Sequence, residues 1–412
     1  MNNIVEQAEK ILKENNQEKV LKIFQNLKEK EKIAEQITNI NFDQLKCLYK
    51  NKEEKIEIEV KIEPRKYVSK NKLKDEELEE LAKLGKKAIK QGKYAVVTMA
   101  GGQGTRLGWR GPKGTYKLDI GENGKYIFEI LVDTLKKASI KNGIDINWYI
   151  MTSTDNNEET IKFFEEHNYF GYNKEKIEFF KQNVLPLMDL EGNLLVDKSF
   201  NIKEASDGNG GVFKALKSSG MLEDMGKKNI EWVYICGVDN IMANMVDNVF
   251  LGLAIKSQNL AASKSIKKAY PEEKVGSFCK KNGRPAVIEY SEMSNEMVHA
   301  KDSNGELLYG ESHFVANLFN IKFLQKIAEY QFKYHCAVKK NSYIDENLNE
   351  VIPKKENSLK FEAFIFDAFE YLDDITILRV NREEEFAPIK NATGNDSPET
   401  AKRIYERNKF GK

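Results

Sequence analysis

The stretch Tyr94–Leu118, YAVVTMAGGQGTRLGWRGPKGTYKL, constrains the fold more than any other part of the chain. Its opening residues, Tyr94 to Met99, are a short apolar, β-branched run of the kind found in buried parallel strands. That run feeds directly into four glycines within eight residues, Gly101, Gly102, Gly104 and Gly108, with Arg106 among them. Lacking a Cβ, glycine lets the backbone turn sharply and come close to a ligand. The exposed N–H groups of such a loop form an anion-binding concavity, and Arg106 and Lys113 add positive charge on its flanks. The pattern predicts a nucleotide-phosphate loop at the carboxyl end of a strand, where open α/β sheets hold their ligands. Two commoner glycine loops do not match. A P-loop needs Gly-Lys followed by Ser or Thr, which is absent, and the dinucleotide fingerprint needs glycine where Leu107 stands.

Length and composition bound the rest. A chain of 412 residues holds two or three domains, or one large α/β domain with an appendage. Its 65 basic and 64 acidic residues nearly cancel, which argues against a nucleic-acid surface or an anionic membrane as partner. No apolar h-region follows Met1 and no run of eighteen apolar residues occurs, so a cytoplasmic protein that does not span a membrane is expected. Cys47, Cys236, Cys279 and Cys336 are scattered without CxxC spacing, which predicts reduced thiols and neither zinc nor disulfides. His313 reads as a hydrogen-bonded structural histidine, with a pocket-lining role as the alternative.

Residues 1–90 read as a helical N-terminal region. Ile4, Ala8, Ile11 and Leu12 recur at helical spacing, as do Val20, Leu21, Phe24 and Leu27, then Ile33, Ile37 and Ile40. Ile56–Pro64 reads as an extended connector, and a further helix is predicted from Asp75 to Gln91. Beyond Tyr94 the pattern alternates: helix over Ile127–Ala138, strand over Ile146–Thr152, helix over Glu158–Asn168, strand over Ile177–Lys181. Such alternation predicts an α/β catalytic domain over 91–412, with helices covering a parallel sheet.

Further stretches carry chemistry. Asp207–Gly211, DGNGG, opens a helix, where it reads either as an Asn/Gly cap or as a close backbone approach to a ligand. The apolar strand within Glu231–Asn240 ends in Asp239, a carboxylate well placed for a hard divalent cation or for capping the next helix. Glu272–Met293 reads as a hairpin turning at Lys281-Asn282-Gly283. Phe361–Phe369, FEAFIFDAF, reads as an amphipathic core helix or as aromatic lining of a pocket. Lys390 lies in a loop.

GGQGTRLG, followed three residues later by PKG, resembles the signature of the nucleotidyltransferase-fold pyrophosphorylases that make UDP-sugars. It is most similar to the UDP-N-acetylglucosamine pyrophosphorylases, and the likeness extends from about residue 90 to 402 through FFKQNVLPLMD, DGNGG, GVDN, VIEYSE, SHFVANLFN, EEFAPIKN and DSPET. The resemblance implies a Rossmann-like fold with a mixed, mostly parallel central sheet flanked by helices. It implies uridylyl transfer from UTP to N-acetylglucosamine 1-phosphate, with Mg²⁺ as cofactor held by Asp239. Arg106, Lys113 and Lys390 would be catalytic. Met99, Ala100, Gly101, Gly102, Gln182, Gly208 and Val238 would contact the nucleotide, Gln182 reading the uracil edge. Asn209, Gly276, Glu289, Asn317, Phe364 and Phe366 would contact the sugar. Longer relatives continue past DSPET into a small C-terminal β-domain, which is expected to be absent here. Other readings of the same residues are transfer to glucose or galactose 1-phosphate, a non-catalytic nucleotide-sugar sensor, and an adaptor that binds a partner through its N-terminal helices.

Overall fold

The Tyr94–Met99 run is buried on both faces, as its lack of polar alternation requires. In the computed structural model, which describes residues 2–53, 60–330 and 332–410, it lies inside a sheet of eleven strands among the described residues. Trp232–Gly237 and Asn147–Thr152 flank it in parallel, and Ile177–Lys181 extends the parallel row. On the other side Glu311–Asn320 runs antiparallel to both Trp232–Gly237 and Ala261–Lys267. Thr376–Arg379 and then Val68–Ser69 complete the row, again parallel. The sheet is therefore mixed and mostly parallel, as expected. The predicted hairpin forms from Ser277–Lys281 and Arg284–Ile288. Its two-residue turn, Asn282-Gly283, has φ of 50° and 83°, the left-handed pair that matches strand twist.

Helices Ile127–Asn142 and Asn157–Glu166 follow strands of the parallel row and cover it. Val96, Trp148, Ile150 and Tyr234 pack with Phe128, Leu131, Leu135 and Phe164 in one core. Phe128 and Phe164 lie 4.9 Å apart by ring centroids, and Trp148 meets Phe164 edge-on at 5.7 Å. Each such pair contributes about 0.5–1.5 kcal/mol beyond burial. The Trp148 indole donates to Thr98 Oγ1 at 2.8 Å, so its polar atom is satisfied inside the core. Among the described residues no helix is long and apolar enough to cross a membrane.

Contacts divide the chain into two compact units, and the division does not fall at residue 90. One unit comprises Met1–Ile58, Asn183–Gly211 and Phe332–Phe364; the other comprises Glu59–Gln182, Val212–Gln331 and Ile365–Lys412. Within the expected connector, Ile56–Glu59 lies outside the described residues, while Ile62–Pro64 is a strand paired with the hairpin. Helix Asp75–Lys90 belongs to the sheet-bearing unit.

In the first unit, helices Asn2–Glu14, Glu18–Asn26, Glu31–Asn39 and Phe42–Lys50 carry the expected apolar stripes. Leu12, Val20, Phe24, Ile33 and Ile37 bury against Met188, Leu194, Val196, Ile344 and Phe361. Two glutamines lock this packing: Gln17 Oε1 accepts from Leu194 N at 2.7 Å, and Gln36 Oε1 from Ile202 N at 2.9 Å. The helical reading of Phe361–Phe369 holds only for its second part, as a seven-residue 3-10 helix and not an α-helix. Ser358–Glu362 is a strand paired with His335–Lys339, and Ile365–Tyr371 is the 3-10 helix, in the other unit. Buried Leu359 and Phe361 alternate with half-buried Lys360 and Glu362, which is strand periodicity.

Candidate active site

Met99 and Gly237 are cross-strand partners, so the parallel strands finish at a common edge. Ladder bonds continue past the strand ends: Val238 N donates to Met99 O at 3.0 Å, Ala100 N to Met151 O at 2.7 Å, and Gln182 N to Thr152 O at 2.7 Å. The glycine loop, Gln182 and Asp239 thus all issue from one edge, the carboxyl end at which α/β sheets bind ligands.

The loop is closed on itself. Gly104 N donates to Gly111 O at 2.9 Å and Lys113 N to Gly102 O at 3.0 Å. Its root is tied down by buried Asn156, whose Nδ2 donates to Ala100 O at 3.0 Å. A Cβ at Gly101 would lie 2.5 Å from Gln182 Oε1, so the Gln182 amide rests directly on the Gly101 backbone. A Cβ at Gly114 would lie 2.1 Å from the Phe128 ring. Gly102 differs, because a Cβ there would meet no protein atom within 4 Å. Protein packing does not require glycine at that position. Arg106 and Arg110 are exposed and Lys113 half-buried. Among the described residues none of the three forms an ion pair, which leaves the loop's positive charge uncompensated and available to an anion.

Asp239 and Lys390, remote in sequence, are brought together by backbone pairing. Ile389 N donates to Asp239 O at 2.9 Å, and Asn240 forms an antiparallel bridge with Pro388. The Asp239 carboxylate is half-buried and makes no hydrogen bond among the described residues. Lys390 Nζ lies 3.7 Å from Asp396 Oδ2, with its side chain 44% exposed. Beneath this pairing runs a buried charge network that sequence reasoning missed. Lys264, fully buried on its strand, places Nζ 2.5 Å from Glu385 Oε2 and 3.0 Å from Asp247 Oδ2. Burial pulls the Lys264 ammonium toward neutrality, but Asp247 and Glu385 more than offset this and hold its pKa above the ordinary value. Burial opposes ionisation of Asp247 too, yet Lys264 and Lys70 hold its carboxyl well below the usual carboxylate range. Glu385 is raised, chiefly by burial. Removing one member of such a network strands a buried charge at a cost of about 3–5 kcal/mol.

The expected sugar contacts sort into several places. In the sheet-bearing unit, a Cβ at Gly276 would lie 3.3 Å from Glu289 Oε1, so these two adjoin. Asn317 is fully buried. Its Oδ1 accepts from Ser263 Oγ at 2.7 Å and lies 3.0 Å from His313 Nε2, while its Nδ2 has no partner among the described residues. Burial pushes the His313 pKa down to about 4, so the imidazole is neutral at pH 7 and donates to Asn317. Phe366 is buried and meets the His313 ring edge-on at 5.6 Å. In the other unit, the DGNGG turn is zipped to Glu362–Phe364. Gly210 N donates to Ala363 O at 2.9 Å and Ala363 N to Asp207 O at 2.8 Å. Gly208 has φ of 90°, and a Cβ there would strike Ala363 O at 2.3 Å, so that turn demands glycine. Asn209 opens the 3-10 turn Asn209–Gly211, and Phe364 packs on His335 at 4.6 Å between ring centroids. The same unit holds a cavity of about 480 Å³ among Lys19, Ile23, Asp189, Leu194, Ile344 and Glu346, which contains none of the expected site residues.

A sequence profile described as UTP–glucose-1-phosphate uridylyltransferase matches residues 40–396. UDP-N-acetylglucosamine diphosphorylase 2 of Arabidopsis thaliana is 40% identical over 81% of this chain and 68% of its own length. The chain belongs to the UDP-N-acetylglucosamine pyrophosphorylase family. UDP-N-acetylglucosamine pyrophosphorylase of Saccharomyces cerevisiae is likewise 40% identical, over 78% of this chain and 70% of the yeast protein. The crystal structure of the Trypanosoma brucei UDP-N-acetylglucosamine pyrophosphorylase superposes with a TM-score of 0.85 at 29% identity, covering 98% of this chain and 84% of that one. Membership makes this chain an enzyme of the uridylyltransferase class.

The donor set at Asp239 can be weighed against the expected cation. Among the described residues no group of three or more His, Cys, Asp or Glu side chains is arranged to hold a metal. Asp239, at a strand end, is a carboxylate with no hydrogen-bond partner among the described residues. That fits Mg²⁺, which takes one or two protein carboxylates and fills its shell with substrate phosphates and water.

Proposed function

We propose that this pyrophosphorylase-family enzyme makes UDP-N-acetylglucosamine and pyrophosphate from UTP and N-acetylglucosamine 1-phosphate. The observation that carries the reading is the convergence, on one sheet edge, of an uncompensated basic loop, the Gln182 amide and the Asp239 carboxylate. An oxygen of the sugar phosphate attacks the α-phosphorus of UTP. The new P–O bond forms as the bond to the β-phosphate oxygen breaks, and pyrophosphate leaves with that electron pair. The attacking oxygen is already anionic at pH 7, so the reaction needs no general base. Its barrier is repulsion between anions, which positioning and fixed positive charge reduce.

In this reading Arg106 neutralises the leaving pyrophosphate, and Lys113 and Lys390 align and neutralise the reacting phosphates. Asp239 would hold Mg²⁺, which would supply further neutralisation of negative charge on the phosphates. The backbone of Met99–Gly102 and Val238 lines the nucleotide. The Gln182 amide offers one donor and one acceptor to the uracil edge, a pairing that a carboxylate lacks. By the family resemblance, Gly276, Glu289, Asn317 and Phe366 of the sheet-bearing unit are assigned to the sugar; in the other unit Gly208 is assigned to the uridine and Asn209 and Phe364 to the sugar. Four free cysteines fit a reducing cytosol as the setting.

Pyrophosphate release from UTP and Mg²⁺ tests the reading, with N-acetylglucosamine, N-acetylgalactosamine, glucose and galactose 1-phosphates run in parallel. Preference for N-acetylglucosamine 1-phosphate is expected. Preference for glucose or galactose 1-phosphate would keep the mechanism and reassign the sugar, and inactivity with all four would overturn the reading.

A further inference from the structure

We propose that Asn240 is a positioning residue for Lys390, an inference that rests on Lys390 being a phosphate-binding group. Asn240 is 6% exposed and commits both ends of its amide to the segment that leads to Lys390. Its Nδ2 donates to Glu385 O at 2.8 Å, and its Oδ1 accepts from Ala387 N at 2.9 Å. Oδ1 accepts a second bond from Met242 N at 3.2 Å, which ties the clamp back to its own loop. The amide can adopt only this orientation, because both partners of Oδ1 are N–H donors and the partner of Nδ2 is a carbonyl.

Backbone pairing extends the clamp as far as Lys390. Asn240 bridges Pro388, and Ile389 N donates to Asp239 O at 2.9 Å. Phe386, Ala387 and Ile389 are buried, whereas the Lys390 side chain is 44% exposed. The lysine is therefore where a held segment emerges, and its own backbone N–H is held in turn by Asp396 O at 2.7 Å. At the other end of the segment, the Glu385 side chain is anchored on Lys264. Asp239 and Asn240 are neighbours in sequence, so the amide ties the loop of the proposed cation ligand to the loop of the proposed phosphate ligand. Positioning of this kind has functional weight because a displacement near 1 Å at a reacting group can cost on the order of 100-fold in rate.

A purely structural amide would affect wild type and Lys390→Ala backgrounds by the same factor. A positioning amide acts through Lys390 and loses its effect once the ammonium is gone. The test is a double-mutant cycle with Asn240→Ala, Lys390→Ala and both together, read as kcat/KM for UTP and accompanied by thermal unfolding. The expected result is a loss of about 10-fold or more from Asn240→Ala in wild type and less than about 2-fold in Lys390→Ala. Calorimetric titration in EDTA supplies a second readout: Asn240→Ala weakens UTP and leaves uridine unchanged. If Asn240→Ala does not fold, Asn240→Ser replaces it, a small neutral side chain too short to hold Glu385 O and Ala387 N together. Losses that multiply in the double variant overturn the inference while sparing the role of Lys390. An unimpaired Lys390→Ala overturns both, and the two failures are distinguishable.

Discussion

Replacing Gly101 by alanine isolates the contact between the glycine loop and Gln182. The backbone at Gly101 does not require positive φ, so alanine introduces no conformational strain, only a methyl group. That methyl would sit 2.5 Å from Gln182 Oε1, 2.7 Å from Cδ and 2.9 Å from Nε2. These separations are too short for non-bonded atoms, and the movable partner is the end of a flexible side chain. The amide therefore swings away, the fold is retained, and the cost falls on base recognition. Two hydrogen bonds to the uracil edge, each worth about 0.5–1.5 kcal/mol net, amount to roughly 1–3 kcal/mol, or about 5- to 150-fold in kcat/KM. Pyrophosphate release measured with UTP and with CTP, alongside thermal unfolding, reads both consequences. The expected outcome is a near-native unfolding temperature, a fall of that size for UTP, and a smaller UTP-to-CTP ratio. A folded variant with kcat/KM for UTP within twofold of wild type and the same ratio would refute the assignment of Gln182 as the base reader.

Other perturbations probe different links. Gly114→Ala drives a methyl to 2.1 Å from the fully buried Phe128 ring, so it should destabilise by about 1–3 kcal/mol in urea unfolding; an unchanged midpoint would show that the ring yields freely. Asp239→Asn should raise the Mg²⁺ concentration needed for half-maximal activity, and a titration superimposable on wild type would remove it from the cation site. Lys390→Ala should lower kcat by roughly 10²-fold, as loss of one preorganised stabilising group does; an unaltered kcat would exclude it. His313 has a folded pKa of about 4 against an ordinary 6.5. The unfolded chain therefore binds the extra proton between those values. The associated stability, about 3 kcal/mol, is full above pH 6.5 and is lost as pH falls toward 4. In urea unfolding His313→Gln should flatten that acid-side decline, and equal slopes for both proteins would argue against a buried neutral imidazole.

How much of the site was legible depended on the range of the interactions. The strand into glycine loop, the alternation of strands and helices, and the Asn282-Gly283 turn were readable because a few consecutive residues set backbone conformation. Lys264 was not readable. In AASKSIK it looks like one polar residue in a strand, yet it lies at 0% exposure between Asp247 and Glu385. Phe361–Phe369 misled because closely spaced aromatic residues suit a helix, a strand or a turn, and pairing with His335–Lys339 decided in favour of a strand over its first part.

The sequence by itself determined the fold class, the glycine loop at the carboxyl end of a strand, and the family. These follow from local periodicity, glycine spacing and ordered motifs. Tertiary structure alone decided what covers the N-terminal helices, why Gly101 meets Gln182, and how Asn240 holds the approach to Lys390. Those contacts join residues far apart in the chain, and they exist only once the sheet has ordered its strands. No local propensity encodes which distant group will satisfy a buried amide or balance a buried charge.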